Sequence, residues 1–226
     1  MTLTKGFYFL SEGMNLNIRR ALPQDAFFLA WVILAAGRAH GTRGIWDIVL
    51  DGAEEERLSF LKLLTVTEEA HLFHYAGFLV AESDKGPVAG LGGYDPRALG
   101  FPALQRVLPE VYERLGRNMP DKILDERSKR VLGCIPEDVE GAWMVHSVAT
   151  LPEARRRGIM DRLLEQILGE GRRRGFRRAQ INIYIGNIPA LRGYEKHGFK
   201  VLDEKRDAVF EDEIGSPGMA RLLLDL

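Results

Sequence analysis

Val148-Ala149-Thr150-Leu151-Pro152-Glu153-Ala154-Arg155-Arg156-Arg157-Gly158-Ile159-Met160 is the stretch from which the rest of the chain is read. A strand end, a proline turn and an arginine-glycine loop stand directly before an apolar run at helical spacing: Ile159, Met160, Leu163, Leu164, Ile167 and Leu168. Free N–H groups and the helix dipole converge at such a junction, so an anion, above all a phosphate, is its natural guest. The helix is predicted to stop at Gly171. Ala179, Ile181, Ile183 and Ile185 then alternate with Gln180, Asn182 and Tyr184, the period of a half-buried strand.

Working outward, Trp143 to Thr150 reads as the strand that leads into the loop, and Pro189 to His197 as a short helix ended by Gly198. Lys200 to Phe210 and Met219 to Leu224 are predicted as two strands of a terminal hairpin turned by Gly215-Ser216-Pro217-Gly218. Upstream, Leu16 to Arg20 alternates like a strand and leads into an apolar helix, and Ile45 to Leu64 reads as a second helical region with an acidic start. Phe78 to Glu82 and Val88 to Tyr94 form a hairpin about Ser83-Asp84-Lys85-Gly86-Pro87. Residues 1–13 read as an N-terminal extension, with Met14 a candidate start, and residues 14–226 as one domain. That domain carries an insertion at about 95–141, where Leu104, Val107, Leu108, Val111 and Leu115 make a helical stripe.

The 226 residues suffice for a full core without disulfide or metal. Lys plus Arg number 31 against 32 Asp plus Glu, a net charge of -1, which excludes a general nucleic-acid binder. The average hides a concentration: from Glu153 to Arg178 nine arginines face four acids, so this segment carries +5. One cysteine, Cys134, supports neither an internal disulfide nor a cysteine metal cluster, and points to a reducing, cytoplasmic setting. The apolar run Ala26 to Ala36 is too short to cross a bilayer, and Gly6 to Leu10 is too short for an export signal, so no membrane partner is expected. His71 and His74 lack companions for a ligand set, and no metal is expected. Trp31, Trp46 and Trp143 read as core or pocket wall, and Arg172, Arg173, Arg174, Arg177 and Arg178 as a basic helix end.

Neither G-x-x-x-x-G-K-[ST] nor G-x-G-x-x-G occurs, so the loop at Arg155 is not a nucleotide P-loop or a dinucleotide fingerprint. A second motif follows one helix and one strand later: Asn187-Ile188-Pro189-Ala190-Leu191-Arg192-Gly193-Tyr194-Glu195-Lys196-His197-Gly198-Phe199. Together the two resemble the GNAT superfamily of acyl-CoA-dependent N-acetyltransferases, with its [RQ]-x-x-G-x-[GA] loop and N-x-x-A-x-x-x-Y-x-x-x-G-F segment.

The resemblance implies an α/β fold of three layers: a mixed, mostly antiparallel sheet splayed at its fourth and fifth strands, with helices on both faces. It implies acetyl-CoA as co-substrate. Val148, Ala149 and Thr150 match the splayed fourth strand, whose main chain pairs with the pantetheine arm like an added strand. Arg155, Arg156, Arg157, Gly158, Ile159, Met160 and Asp161 match the pyrophosphate cradle. Asn187 and Ala190 match positions beside the pantetheine. Tyr194 matches the tyrosine that protonates the departing thiolate, and the N–H near Val148 would polarise the carbonyl.

Two departures stand out. Met160 replaces a glycine or alanine, and its apolar stripe points it into the core. The glutamate that many members use as base is missing, since the fourth strand reads Trp143-Met144-Val145-His146-Ser147 and the fifth has Asn182. His146 becomes the local candidate for the base, with Glu140, Ser147 and a water chain open beside it. The expected activity is acetyl transfer to a primary amine by direct attack, the acceptor being a small molecule. A protein N-terminal or lysine acceptor and a catalytically silent acyl-CoA-binding domain are the alternatives, and a homodimer stays open. The insertion interleaves Asp121, Asp125, Glu126, Glu137, Asp138 and Glu140 with Arg127, Lys129 and Arg130, so its charge does not declare the acceptor.

Overall fold

The computed structural model describes residues 16–120 and 124–226. The N-terminal extension expected at 1–13, with Met14, and part of the expected insertion, including Asp121, lie outside the described residues. In chain order the elements are β1 (Asn17–Arg20), α1 (Ala26–Arg38), α2 (Ile45–Val49), α3 (Glu54–Leu64), β2 (Phe78–Ser83) and β3 (Gly86–Tyr94). Then come α4 (Pro96–Leu99), α5 (Phe101–Arg114), α6 (Glu126–Gly133), β4 (Ala142–Thr150), α7 (Ile159–Arg173) and β5 (Arg178–Tyr184). The chain closes with α8 (Ile188–Lys196), β6 (Lys200–Arg206), α9 (Ala208–Ile214) and β7 (Gly218–Asp225).

The seven strands form one sheet in the order β1-β2-β3-β4-β5-β7-β6. Every neighbouring pair is antiparallel except β4 with β5, which run parallel. The sheet is thus mixed and mostly antiparallel. Helix α7 lays Leu163, Leu164 and Ile167 on one face, against Leu91, Val145 and Trp143. Helix α1 lies on the other face, where Leu29, Val32 and Ile33 pack with Phe60 and Leu61 of α3, Val107 and Val111 of α5, and Phe78 and Val80. Among the described residues no helix is long and apolar enough to cross a membrane.

The glycines of β3 explain how helices and rings come so close to the sheet. A Cβ on Gly90 would lie 3.2 Å from Val32, one on Gly92 2.2 Å from His146 Nε2, and one on Gly93 2.5 Å from Ile167. Alternation along the strand sends the first two gaps to one face and the third to the other.

Three sequence expectations are corrected. The region Ile45 to Leu64 is two helices, because the chain turns at Gly52, whose φ is +95°. Helix α7 runs through Gly171 to Arg173; this glycine is a close-approach site, where a Cβ would sit 2.9 Å from the Trp143 ring, and Gly175 at φ +86° takes up the end. The strand expected over Lys200 to Phe210 ends at Arg206, and Ala208–Ile214 is helical. Asp207 caps that helix by accepting the N–H groups of Val209 and Phe210 at 2.8 and 3.1 Å, and Gly215 terminates it at φ +81°. The terminal strands do pair, but β7 lies between β5 and β6.

Two glycines of one helix should therefore respond oppositely to alanine. Gly169→Ala, facing only the end of Arg173, is expected to stabilise by up to about 1 kcal/mol through helix propensity. Gly171→Ala is expected to destabilise by about 1–3 kcal/mol by pushing Trp143. Thermal melts of both variants beside the parent check the pair.

Candidate functional site

The parallel ladder is short. Pairing of β4 with β5 runs from Ala142 opposite Arg178 to Val145 opposite Ile181 and goes no further, although both strands continue. At that point β4 is bulged against β3: Gly92 faces His146 and Gly90 faces Ala149, so one extra residue is accommodated on β4. Ser147 takes up the bulge at φ +49°, a conformation costly for a side chain other than glycine. The two strands fork, and a cavity of about 670 Å³ opens at the fork.

Val148, Ser147 and His146 reach that cavity from β4, Asn182 and Ile183 from β5, and Tyr194 from α8. Its far walls come from α1, α2, α5 and α6, so part of the segment 95–141 closes it. Asn187 also caps α8, its Oδ1 accepting the N–H of Ala190 at 3.4 Å, and both residues line the cavity. Tyr194 is buried edge-on against Phe199, at 5.9 Å between ring centroids. Burial pushes its phenol well above the ordinary value, so the hydroxyl keeps its proton at neutral pH.

The cationic loop lies beyond the end of β4 and outside the cavity. Arg155 Nε donates to the Thr150 carbonyl at 3.1 Å, and Arg156 and Gly158 take φ of +59° and +69°. No partner among the described residues accepts the N–H groups from Arg156 to Asp161. Successive free amides with left-handed turns at the head of a 15-residue helix have the chemistry to hold an anion. The Asp161 carboxylate is committed elsewhere: it accepts Lys196 Nζ at 2.6 Å and His197 Nε2 at 2.8 Å, tying α7 to α8. Lys196 and His197 hold that carboxyl below its usual range. Met160 packs with the main core cluster, and its Cε would lie 2.8 Å from a Cβ on Gly193, so α8 makes room for it with a glycine.

A sequence profile described as the acetyltransferase (GNAT) family matches residues 45–199. The chain belongs to the GNAT acetyltransferase family. No curated protein is matched by this sequence at a significant level. Among solved structures, an acetyltransferase superposes with a TM-score of 0.65 at 17% identity, over 92% of this chain and 98% of the other. An N-acetyltransferase from Staphylococcus aureus Mu50 gives 0.63 at 20% identity, over 92% and 100%. A Salmonella typhimurium protein solved with its cofactor acetyl-CoA gives 0.53 at 16% identity, over 94% of each chain. These likenesses establish the shared GNAT fold.

Within this GNAT chain His146 sits in an aromatic box. The rings of Tyr94, Phe78 and Phe73 surround it edge-on at 5.1, 5.2 and 5.5 Å. Its Nδ1 bonds the Ser147 hydroxyl at 3.0 Å, while the buried Nε2 finds no partner among the described residues. Burial lowers its pKa to about 3, which makes it a weak proton acceptor at neutral pH. Glu140 does not line the cavity. A carboxylate that does is Asp138, on the loop before β4. In the sequence it is one acid of six in a mixed-charge stretch, and only the fold singles it out. His71 is also buried, bonded to the Leu64 carbonyl at 3.0 Å, and its pKa falls to about 4. Among the described residues no cluster of His, Cys, Asp or Glu could hold a metal ion.

Histidines held neutral by their surroundings make the fold acid-sensitive, His71 and His146 among them. Unfolded histidine takes up a proton near 6.5, whereas the folded chain resists to about 4 at His71 and about 3 at His146. The unfolded state thus binds more protons below pH 6.5, and stability should fall as pH drops, by on the order of 2 kcal/mol per histidine at pH 5. Urea unfolding at pH 7.5 and pH 5 measures the loss, and the His146 ring resonances should not titrate between those values.

Proposed function

We propose that the protein transfers an acetyl group from acetyl-CoA to the nitrogen of a primary amine, by direct attack in a ternary complex, and that the acceptor is a small molecule. The observation that carries this reading is the fork: a stretch of β4 without a partner on its β5 side opens onto a cavity that also holds a protonated tyrosine, with a loop suited to an anion beyond the end of the same strand.

The loop's unpartnered amides from Arg156 to Asp161, with the guanidinium groups of Arg155, Arg156 and Arg157 exposed around them, fit a pyrophosphate. The main chain from Val148 to Thr150 offers its strand edge to the amides of a pantetheine arm, and Asn187 and Ala190 face the same cavity. This arrangement carries the thioester to the fork, where the Val148 N–H would polarise its carbonyl oxygen. Tyr194, kept protonated by burial, would give its proton to the sulfur as the carbon–sulfur bond breaks. The walls contributed by α1, α2, α5 and α6 support a small acceptor over a protein surface, since they make a pocket of ordinary ligand size.

Acetyl-CoA at 100 times its Kd should raise the unfolding free energy by about 2.7 kcal/mol, read as a higher thermal midpoint. Tyr194→Phe should lower kcat for thiol release about 10²-fold or more with little change in that thermal shift. Absence of the shift would overturn the reading. Tight acetyl-CoA binding with no thiol release to any amine would turn it toward a silent acyl-CoA-binding domain.

A further inference from the structure

We propose that the acceptor is an apolar monoamine, and that Asp138 receives its ammonium group and takes the proton it must lose before attack. The inference rests on the transferase reading above and names the acceptor class and the base of that same site.

The cavity beyond the fork is walled by apolar and aromatic side chains, among them Ile33, Trp46, Phe60, Phe73, Leu108 and Leu132. Several polar groups that reach it are already paired. The Tyr184 hydroxyl accepts the Ile45 N–H at 3.2 Å and donates to the Gly37 carbonyl. Asn182 Oδ1 accepts from Gln180 at 3.1 Å, and Lys129 Nζ is paired with Glu126 at 2.6 Å. Asp138 is different: it lines the cavity and has neither an ion pair nor a side-chain hydrogen bond among the described residues. Solvent reaches it, yet the protein around it raises its carboxyl above the ordinary value. Its charge also reaches the Tyr94 hydroxyl and pushes that group up, second to burial. Tyr94 in turn lies edge-on to His146, next to the bulge at the fork.

This distribution of charge discriminates between amines. A polyamine would place further ammonium groups on a wall without counter-charge, at a desolvation cost of several kcal/mol each. An amino acid would bring a second carboxylate toward Asp138, like charge against like. A peptide would bury several backbone amides against a mostly apolar wall. An alkyl- or arylalkylamine has one charge for Asp138, the unpaired carboxylate of the cavity lining among the described residues, and an apolar body for the wall.

The proton balance closes. Asp138 takes one proton from the ammonium, and the freed lone pair forms the nitrogen–carbon bond as the carbon–sulfur bond breaks. Tyr194 gives its proton to sulfur and recovers one from the new amide nitrogen, and Asp138 returns its proton to solvent. The other titratable groups that share the cavity are Tyr94 from β3, Tyr112 from α5, Lys129 from α6, His146 from β4, Tyr184 from β5 and Tyr194 from α8. The tyrosines stay protonated and His146 stays neutral across pH 5–8, which leaves Asp138 to set the acid limb of the rate profile.

The test combines thiol release and calorimetric amine binding on the full chain, using 2-phenylethylamine and octylamine against spermidine and lysine, with D138N and D138E. Expected are kcat/KM values at least tenfold higher for the two apolar amines, and a loss of tenfold or more for these amines in D138N. That variant should also lose the acid limb of the pH profile, which D138E should partly restore. Preference for spermidine or lysine, or unchanged kcat/KM and pH profile in D138N, would overturn the inference while leaving the transferase reading intact. Failure of either apolar amine to bind would overturn it as well. Asp138-dependent binding of these amines without thiol release would instead count against the transferase reading and the base role, while supporting the ammonium site.

Discussion

The parallel pairing of β4 with β5 is the constraint on which the rest of the molecule depends. It lasts for four residues, from Ala142 to Val145 against Arg178 to Ile181. Backbone groups freed where it stops must be satisfied or exposed, and a left-handed Ser147 sends β4 away from β5 so that a ligand can reach them. A longer ladder would close the sheet and remove the cavity. Helix α7 follows β4 through the arginine-glycine loop, so that loop lies just beyond the strand that forms the fork; helix α8, tied to α7 through Asp161, brings Tyr194 to the same opening.

Close packing around the fork relies on what is missing from β3. Gly92 leaves space for the His146 ring and Gly93 for Ile167 and Trp143, so rings and a helix fit where side chains would hold them off. The enclosure that results lowers the local dielectric and sets the charge states of the site. Tyr194 keeps its proton and His146 remains neutral for the same physical reason, the cost of placing an ion among apolar groups. One environment thus keeps a phenol protonated and an imidazole uncharged.

Much of the fold is legible in the chain. Apolar spacing from Ile159 to Leu168 and alternation from Ala179 to Ile185 identify α7 and β5 because each element must bury one face. The corrections have local causes that the sequence also carries, though quietly: Asp207 and Gly215 are start and stop residues for α9, and Gly52 breaks the helix of residues 45–64. Gly171 misleads, because a glycine that ends a helix and one that admits a neighbouring tryptophan look alike until the neighbour is known.

Sequence alone determined the order of elements, the family motifs at Arg155 to Met160 and Asn187 to Phe199, and the concentration of arginine beside the loop, because periodicity, capping and spacing are local properties. Tertiary structure decided the rest. It set His146 among three aromatic rings, turned Met160 toward Gly193, and selected Asp138 from six acids of similar sequence context. Burial and electrostatic environment belong to the surroundings of a residue, and those surroundings here come from helices and strands far apart in the chain.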